Sequence, residues 1–211
     1  MAKDYAVLPK QKVIEAIEAG NKEEALKALE EFAGLEEWAK DFFVAIVNSM
    51  VTYIAKENGE EAAYLAWRHV SEDLWKPVHD MMKTASHADI VQIFKNLHSS
   101  LFSKYTVEEF DDRTVVSVSE CGSGGKLMKL GYYDNTDRTP IMGGTTKEKH
   151  GWGCNKVGFP YYCVHATCWY DIFPKEWGFP ILGYEHGRQY DNDGNLVDEP
   201  CKIIIYKEPQ K

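Results

Sequence analysis

From about Pro9 to Phe102 apolar residues return every three or four positions, the interval that lines up one face of an α-helix. The pattern predicts helices over Lys12 to Ala19, Lys22 to Phe32, Leu35 to Glu57, Glu60 to Lys83 and Ala88 to Phe102, broken at Gly20-Asn21, Gly34, Asn58-Gly59 and Ser86. In the third of these, Trp38, Phe42, Ala45, Ile46, Ser49, Met50 and Tyr53 share a stripe that should be buried. Ser86-His-Ala-Asp89 carries a hydroxyl at the expected N-cap and an acid three residues on, close to a capping box. Pro77 removes a backbone donor inside Glu72 to Lys83, so a bend is expected near Trp75.

Around Tyr105 the period changes. Thr106 to Phe110 and Arg113 to Ser119 are short and β-branched, with Asp111-Asp112 between them, and read as a hairpin. Phe179 to Arg188 and Lys202 to Tyr206 make a second pair, with Asn192-Asp-Gly-Asn195 as the turn. A glycine-rich turn, Cys121-Gly-Ser-Gly-Gly125, and a long irregular stretch from about Tyr133 to Pro160 lie between the pairs, and loops of that length are often functional. The predicted class is α+β: a helical region over 1–104, then an α+β region over 105–211 with a small antiparallel sheet and at least one packed helix, the two forming one integrated domain.

The segment after Pro160 decides how its ligand-type side chains are presented. As a strand it would set Cys163 and His165 on one face; as a helix it pairs His165 with Cys168 and leaves Cys163 at the opening turn. A helix ending at Gly178 is preferred, because Pro160 precedes it, the run is long enough for three or four turns and Gly178-Phe-Pro180 is a stop, while Pro174 calls for a kink or an early end.

Composition narrows the function. The 211 residues are 44% hydrophobic and 13% aromatic, ample for a packed core. The formal charge of -9 repels phosphate backbones and anionic membrane surfaces, so neither nucleic acid nor membrane is an expected partner. No stretch approaches the roughly 20 apolar residues of a membrane span, and Met1-Ala-Lys-Asp-Tyr lacks the pattern of a secretory signal, which points to the cytoplasm. There an odd number of cysteines, five, argues against a disulfide framework and for free thiols, metal ligands or catalysis.

All five cysteines and three of the seven histidines fall in the second half, tightest at Cys163-Val-His165-Ala-Thr-Cys168. Thiolate and imidazole hold transition metals or act as nucleophiles near neutral pH. A cysteine at a helix N-terminus would have its thiolate stabilised by unpaired amides, which makes Cys163 the expected acidic thiol, with Cys121 and His165 beside it as catalytic candidates; the rival reading is a thiol packed among Tyr161, Tyr162 and Trp169. Gly122, Gly124 and Gly125 would let backbone amides approach an anion or a metal-bound group, although the turn is neither a P-loop nor a dinucleotide fingerprint. Paired zinc-finger spacing is absent, so an open zinc or iron site drawing on Cys121, Cys163, His165 and His98 is the expected metal centre. His98 has a rival reading as a hydrogen-bonded core residue on the stripe of Val91, Phe94, Leu97 and Leu101, and His186 beside Glu185 one as a general base. Trp152, Tyr161, Tyr162, Trp169, Tyr170 and Trp177 are enough aromatics to wall a pocket for a small molecule.

Pro160-Tyr-Tyr-Cys163 with its following helix, the strand around Gly183-Tyr-Glu185, and Cys201-Lys-Ile-Ile-Ile-Tyr206 together resemble the small cysteine-containing domains of the vinyl-reductase-like and thiazoline-carboxylate hydrolase-like families, over about the last fifty residues. The resemblance implies an antiparallel sheet flanked by helices, with Cys163 and Cys201 near a small-molecule site. The expected function is a metal- or thiolate-dependent hydrolase or lyase acting on a heterocyclic or aromatic substrate, with Cys163, Cys121 and His165 at its centre. The alternative is a sensor module that holds a metal, haem or an apolar ligand without turnover, and a homo-oligomer is left open.

Overall fold

The structure, a computed structural model, describes residues 8–133, 143–191 and 193–210. The fold is α+β, and the described residues fall into two compact units divided between Phe43 and Val44.

The smaller unit holds α1 (Pro9–Glu18) and the first part of α2 (Lys22–Asn58). Gly20 at φ 68° makes the turn between them, and Asn21 caps α2 by accepting from the Glu24 amide at 3.2 Å. Gly34 does not break α2, which runs straight through it; a single interior glycine costs a helix only about 1 kcal/mol.

In the larger unit α2 buries Val44, Asn48, Val51, Thr52 and Ala55. The stripe predicted to be inside is outside: Trp38 is 66%, Met50 59% and Tyr53 64% exposed. The helix carries two faces at helical spacing, and the one turned inward is the more polar, with the Thr52 hydroxyl accepting from the Gly144 amide at 2.9 Å.

Next come α3 (Glu60–Leu74) and α4 (Lys76–Met82), separated at Trp75 as Pro77 requires, since proline is tolerated in a first turn and not in a helix interior. α5 (His87–Ser100) begins at the expected capping box, with Ser86 and Asp89 each accepting from the other's amide. The strands β1 (Lys104–Glu109), β2 (Arg113–Glu120), β3 (Leu182–Glu185) and β4 (Cys201–Tyr206) form one antiparallel sheet in the order β1-β2-β4-β3. The expected hairpin and second pair are both present. Asn192 of the predicted turn lies outside the described residues, but Asp191 accepts from the amides of Asp193 and Asn195 there. Thr114, Val116, Val118, Ile203 and Ile205 alternate inward along β2 and β4, and the apolar ones pack with Ile90 and Phe94 of α5.

Residues 161–176 form the predicted helix in several pieces: a 3₁₀ turn over Tyr161–Cys163, an α-helical turn over Val164–Thr167, a π-helical turn over Cys168–Ile172, and a second α-helical turn over Phe173–Glu176. The π turn, closed by the Phe173 amide on the Cys168 carbonyl, sits just before Pro174, where an α-helical donor is missing. Indole donors tie this segment to α3 and the Trp75 break: Trp67 to the Tyr161 carbonyl at 2.9 Å, Trp75 to the Trp169 carbonyl at 3.0 Å, and Trp169 to the Ser71 hydroxyl at 2.5 Å. No helix among the described residues is long and apolar enough to cross a membrane.

Candidate functional site

β2 ends at Glu120, and the chain turns through Cys121 to Ser123 into the short α6 (Gly124–Lys129). That turn meets the opening of the 161–176 helix, the end of β3 and the start of β4, with α5 alongside. Between them lies a cavity of about 50 Å³ bordered by Cys121, Cys163, Cys201, His98, His165 and His186. Three thiols and three imidazoles, distant in sequence, thus share one void. Among the described residues its wall holds no Asp, Glu, Lys or Arg.

Gly124 and Gly125 are required by close approach. A Cβ on Gly124 would stand 2.7 Å from the Cys163 sulfur, and one on Gly125 would strike the Gln189 side chain and the Cys121 Cβ. Gln189 is itself buried and fixed at both ends, accepting from the Cys121 amide at 3.0 Å and donating to the Val118 carbonyl at 2.9 Å. Of the predicted cradle, the Gly122 amide is engaged elsewhere: it donates to the Ser103 hydroxyl at 3.0 Å, and Gly122 does not border the cavity, whereas Gly124 and Gly125 do. Gly124 serves packing of the turn on Cys163, and Gly125 its packing on Gln189.

The thiols of Cys163 and Cys201 are not acidic. Cys163 is buried, its amide bonds the Pro160 carbonyl at 2.9 Å, and burial pushes its thiol well above the ordinary range. Desolvation therefore overrides the helix-start effect expected from sequence. Burial also raises Cys201 to about 11, although Tyr184 donates to its sulfur at 3.6 Å. Cys168, predicted to share a face with His165, lies in the aromatic core away from the cavity wall.

The imidazoles are held neutral. Burial lowers His165 to about 4, against a Tyr162 carbonyl 2.6 Å from Nδ1 that favours a proton on that nitrogen and leaves Nε2 with its lone pair. Its ring lies between Trp67 and Trp169, at centroid distances of 4.9 and 4.8 Å. His98 is lowered to about 4 by burial, with a smaller contribution from His165. Neither nitrogen of His98 has a hydrogen-bond partner among the described residues, nor does Nε2 of His186. A neutral imidazole has one N–H and one lone pair, and each buried without a partner costs about 1–3 kcal/mol. Among the described residues, then, His98 lacks the hydrogen bonds of the rival reading, and the expected orienter of His186, Glu185, pairs instead with Lys202 at 3.1 Å.

Thiols and neutral imidazoles are donors that zinc and ferrous ions take. Their placement does not fit a preassembled centre: among the described residues no three His, Cys, Asp or Glu side chains stand together as an ion's shell. Cys163 is packed against Gly124 and Tyr162, and His165 is turned to a carbonyl within a tryptophan cage. Cys121, Cys163, His165 and His98 line the same void without forming one coordination sphere. A haem is far larger than 50 Å³, and that expectation falls with it.

Two further features escaped the sequence reading. Gln189, which fixes the strand end, has no signal in a lone glutamine after Arg188. Glu60, in the first turn of α3, accepts from Tyr161 Oη at 2.7 Å and the amides of Lys147 and Glu148, with His150 Nε2 at 2.6 Å. Only its place after Gly59 at a helix start hinted at amide binding. A second, open pocket of about 330 Å³ lies beside the cavity, bordered by Tyr133, Lys156, Phe159 and Tyr190 among others.

The fold and site together define an α+β protein with an uncharged cavity walled by thiols and imidazoles. No family model, no curated protein and no solved structure matches the chain.

Proposed function

We propose that the chain binds a small, uncharged molecule in the thiol and imidazole cavity. The observation that carries this reading is the convergence of Cys121, Cys163, Cys201, His98, His165 and His186 on one void that, among the described residues, has no charged wall and includes two histidines with ring nitrogens that lack a partner. A ligand that both accepts and donates a hydrogen bond satisfies His98, and the protonated thiols of Cys163 and Cys201 suit a soft, neutral group.

A fragment screen by ligand-observed NMR tests it, with Ala166→Leu as the comparison because Ala166 borders the cavity. Neutral fragments that bind the natural chain and not the variant are expected. A screen whose hits are all indifferent to that substitution, or all charged, overturns the reading.

A second reading, hydrolysis or a lyase step on a heterocyclic or aromatic substrate, is favoured by the sharing of one void between thiols and neutral imidazoles. A neutral imidazole is the form that takes a thiol's proton, which Cys163 must lose before it attacks. Here Cys163→Ala and Cys121→Ala abolish turnover while helical content and ligand binding persist; turnover that survives both substitutions rejects thiol catalysis.

A further inference from the structure

Met128 and His186 border both the thiol cavity and the open pocket beside it. The two voids are therefore neighbours, with the side chains of Met128 and His186 between them. Among the described residues two buried polar atoms here have no partner: Nε2 of His186, which borders both voids, and the hydroxyl of Tyr133, a residue that borders the open pocket. The two sizes admit different ligands. A void of about 150 Å³ is what holds a benzene ring, so about 50 Å³ holds only a small group, whereas about 330 Å³ is within the range of ligand sites.

We infer that the open pocket is the vestibule of the thiol cavity and that the ligand joins a ring-sized body, held among Tyr133, Phe159 and Tyr190, to a small uncharged head that passes Met128 and His186 to reach the thiols. Met128 and His186 then set what enters, and the aromatic ligand expected from the sequence belongs in the outer compartment, not in the inner one. This rests on the reading of the inner cavity as a ligand site.

Thiol labelling followed by peptide mass spectrometry tests it, with methyl methanethiosulfonate as a small neutral probe and its benzyl counterpart as a probe that carries both a ring and a small reactive head. Cys154 borders neither void and serves as the internal control. Cys121, Cys163 and Cys201 should label in the folded chain, with the benzyl reagent keeping pace with the methyl one. Met128→Trp should slow all three at least tenfold and His186→Ala should speed them, with Cys154 unchanged in both. Labelling that neither substitution alters, or a benzyl reagent excluded more than tenfold, overturns the vestibule and leaves the inner site standing. If the three thiols label only after denaturation, the inner site falls too. Should Met128→Trp disturb the fold, Cys154 will label faster, and His186→Ala then decides: faster labelling supports the route and unchanged labelling overturns it.

Discussion

The larger unit contains two polar clusters that differ in one respect. Around Glu60 every bond is made: one carboxylate accepts from a phenol, two amides and an imidazole, and joins α3 to the 147–161 segment. Around the thiol cavity bonds are missing: among the described residues His98 has no partner for either nitrogen and His186 none for Nε2. A folded chain tolerates few such unsatisfied groups, because each lowers stability without return unless something else binds it. The contrast is what the proposed ligand site predicts: bonds that stabilise in the first cluster and groups left for a ligand in the second.

The largest expected effect is on acid stability. The unfolded chain takes up histidine protons near 6.5, whereas burial keeps His98 and His165 neutral down to about 4 and His186 to about 3. Below 6.5 the unfolded state thus binds more protons, and stability must fall as the pH drops, by roughly 3 kcal/mol for each of His98 and His165 by pH 4. Urea unfolding at stepped pH should show that decline, with a shallower slope in His98→Leu. A flat profile between pH 6.5 and 4 would contradict the burial of these rings.

Glu60 behaves with the same sign of slope, in a lower window. Burial works to raise its pKa, but the hydrogen bonds from Tyr161, Lys147, His150 and Glu148 win and hold it below the usual carboxylate range. Its contribution is complete above that range and disappears as the pH falls through the lowered value. Glu60→Leu leaves several donors without an acceptor and should cost about 3 kcal/mol at neutral pH, measured by urea unfolding. Glu60→Gln should cost less and remove the carboxylate's share of the acid slope while leaving the histidine share intact.

Next in size is the packing of the turn on Cys163. Gly124→Ala brings a methyl group to 2.7 Å from the sulfur and should destabilise by about 2 kcal/mol, with Cys163→Ala in the same chain returning some of the loss. Additive effects in that double-mutant cycle would separate the two residues that the cavity wall places in contact.

Much of this fold was legible in the chain. Ser86-His-Ala-Asp89, Pro77 and the β-branched runs are local signals, and they mark α5, the break at Trp75 and the sheet where the structure has them. The stripe from Trp38 to Tyr53 misled because periodicity finds a face and not its direction; the contacts that choose the other face, such as Thr52 to Gly144, span 92 residues. The site was legible as a set of side chains, since Cys121, Cys163, Cys201, His98 and His165 do border one void. Their protonation was not, because the pKa of Cys163 is set by burial, and burial depends on residues such as Gly124 that no local pattern connects to it.

The smallest effect separates the clusters most sharply. If His98 awaits a ligand, its imidazole adds nothing to the stability of the ligand-free chain, and an apolar side chain of similar volume removes two unsatisfied polar atoms. Set against the packing that leucine's different shape loses, relief of the two polar atoms should leave His98→Leu more stable at neutral pH by about 1 kcal/mol, while lowering the affinity of any fragment that binds the cavity at least tenfold. Glu60→Leu predicts the reverse pattern, a large loss of stability with no fragment affinity specific to it. A His98→Leu chain that unfolds as readily as Glu60→Leu would mean that the imidazole is structural, and the division between a bonded cluster and a binding one would collapse.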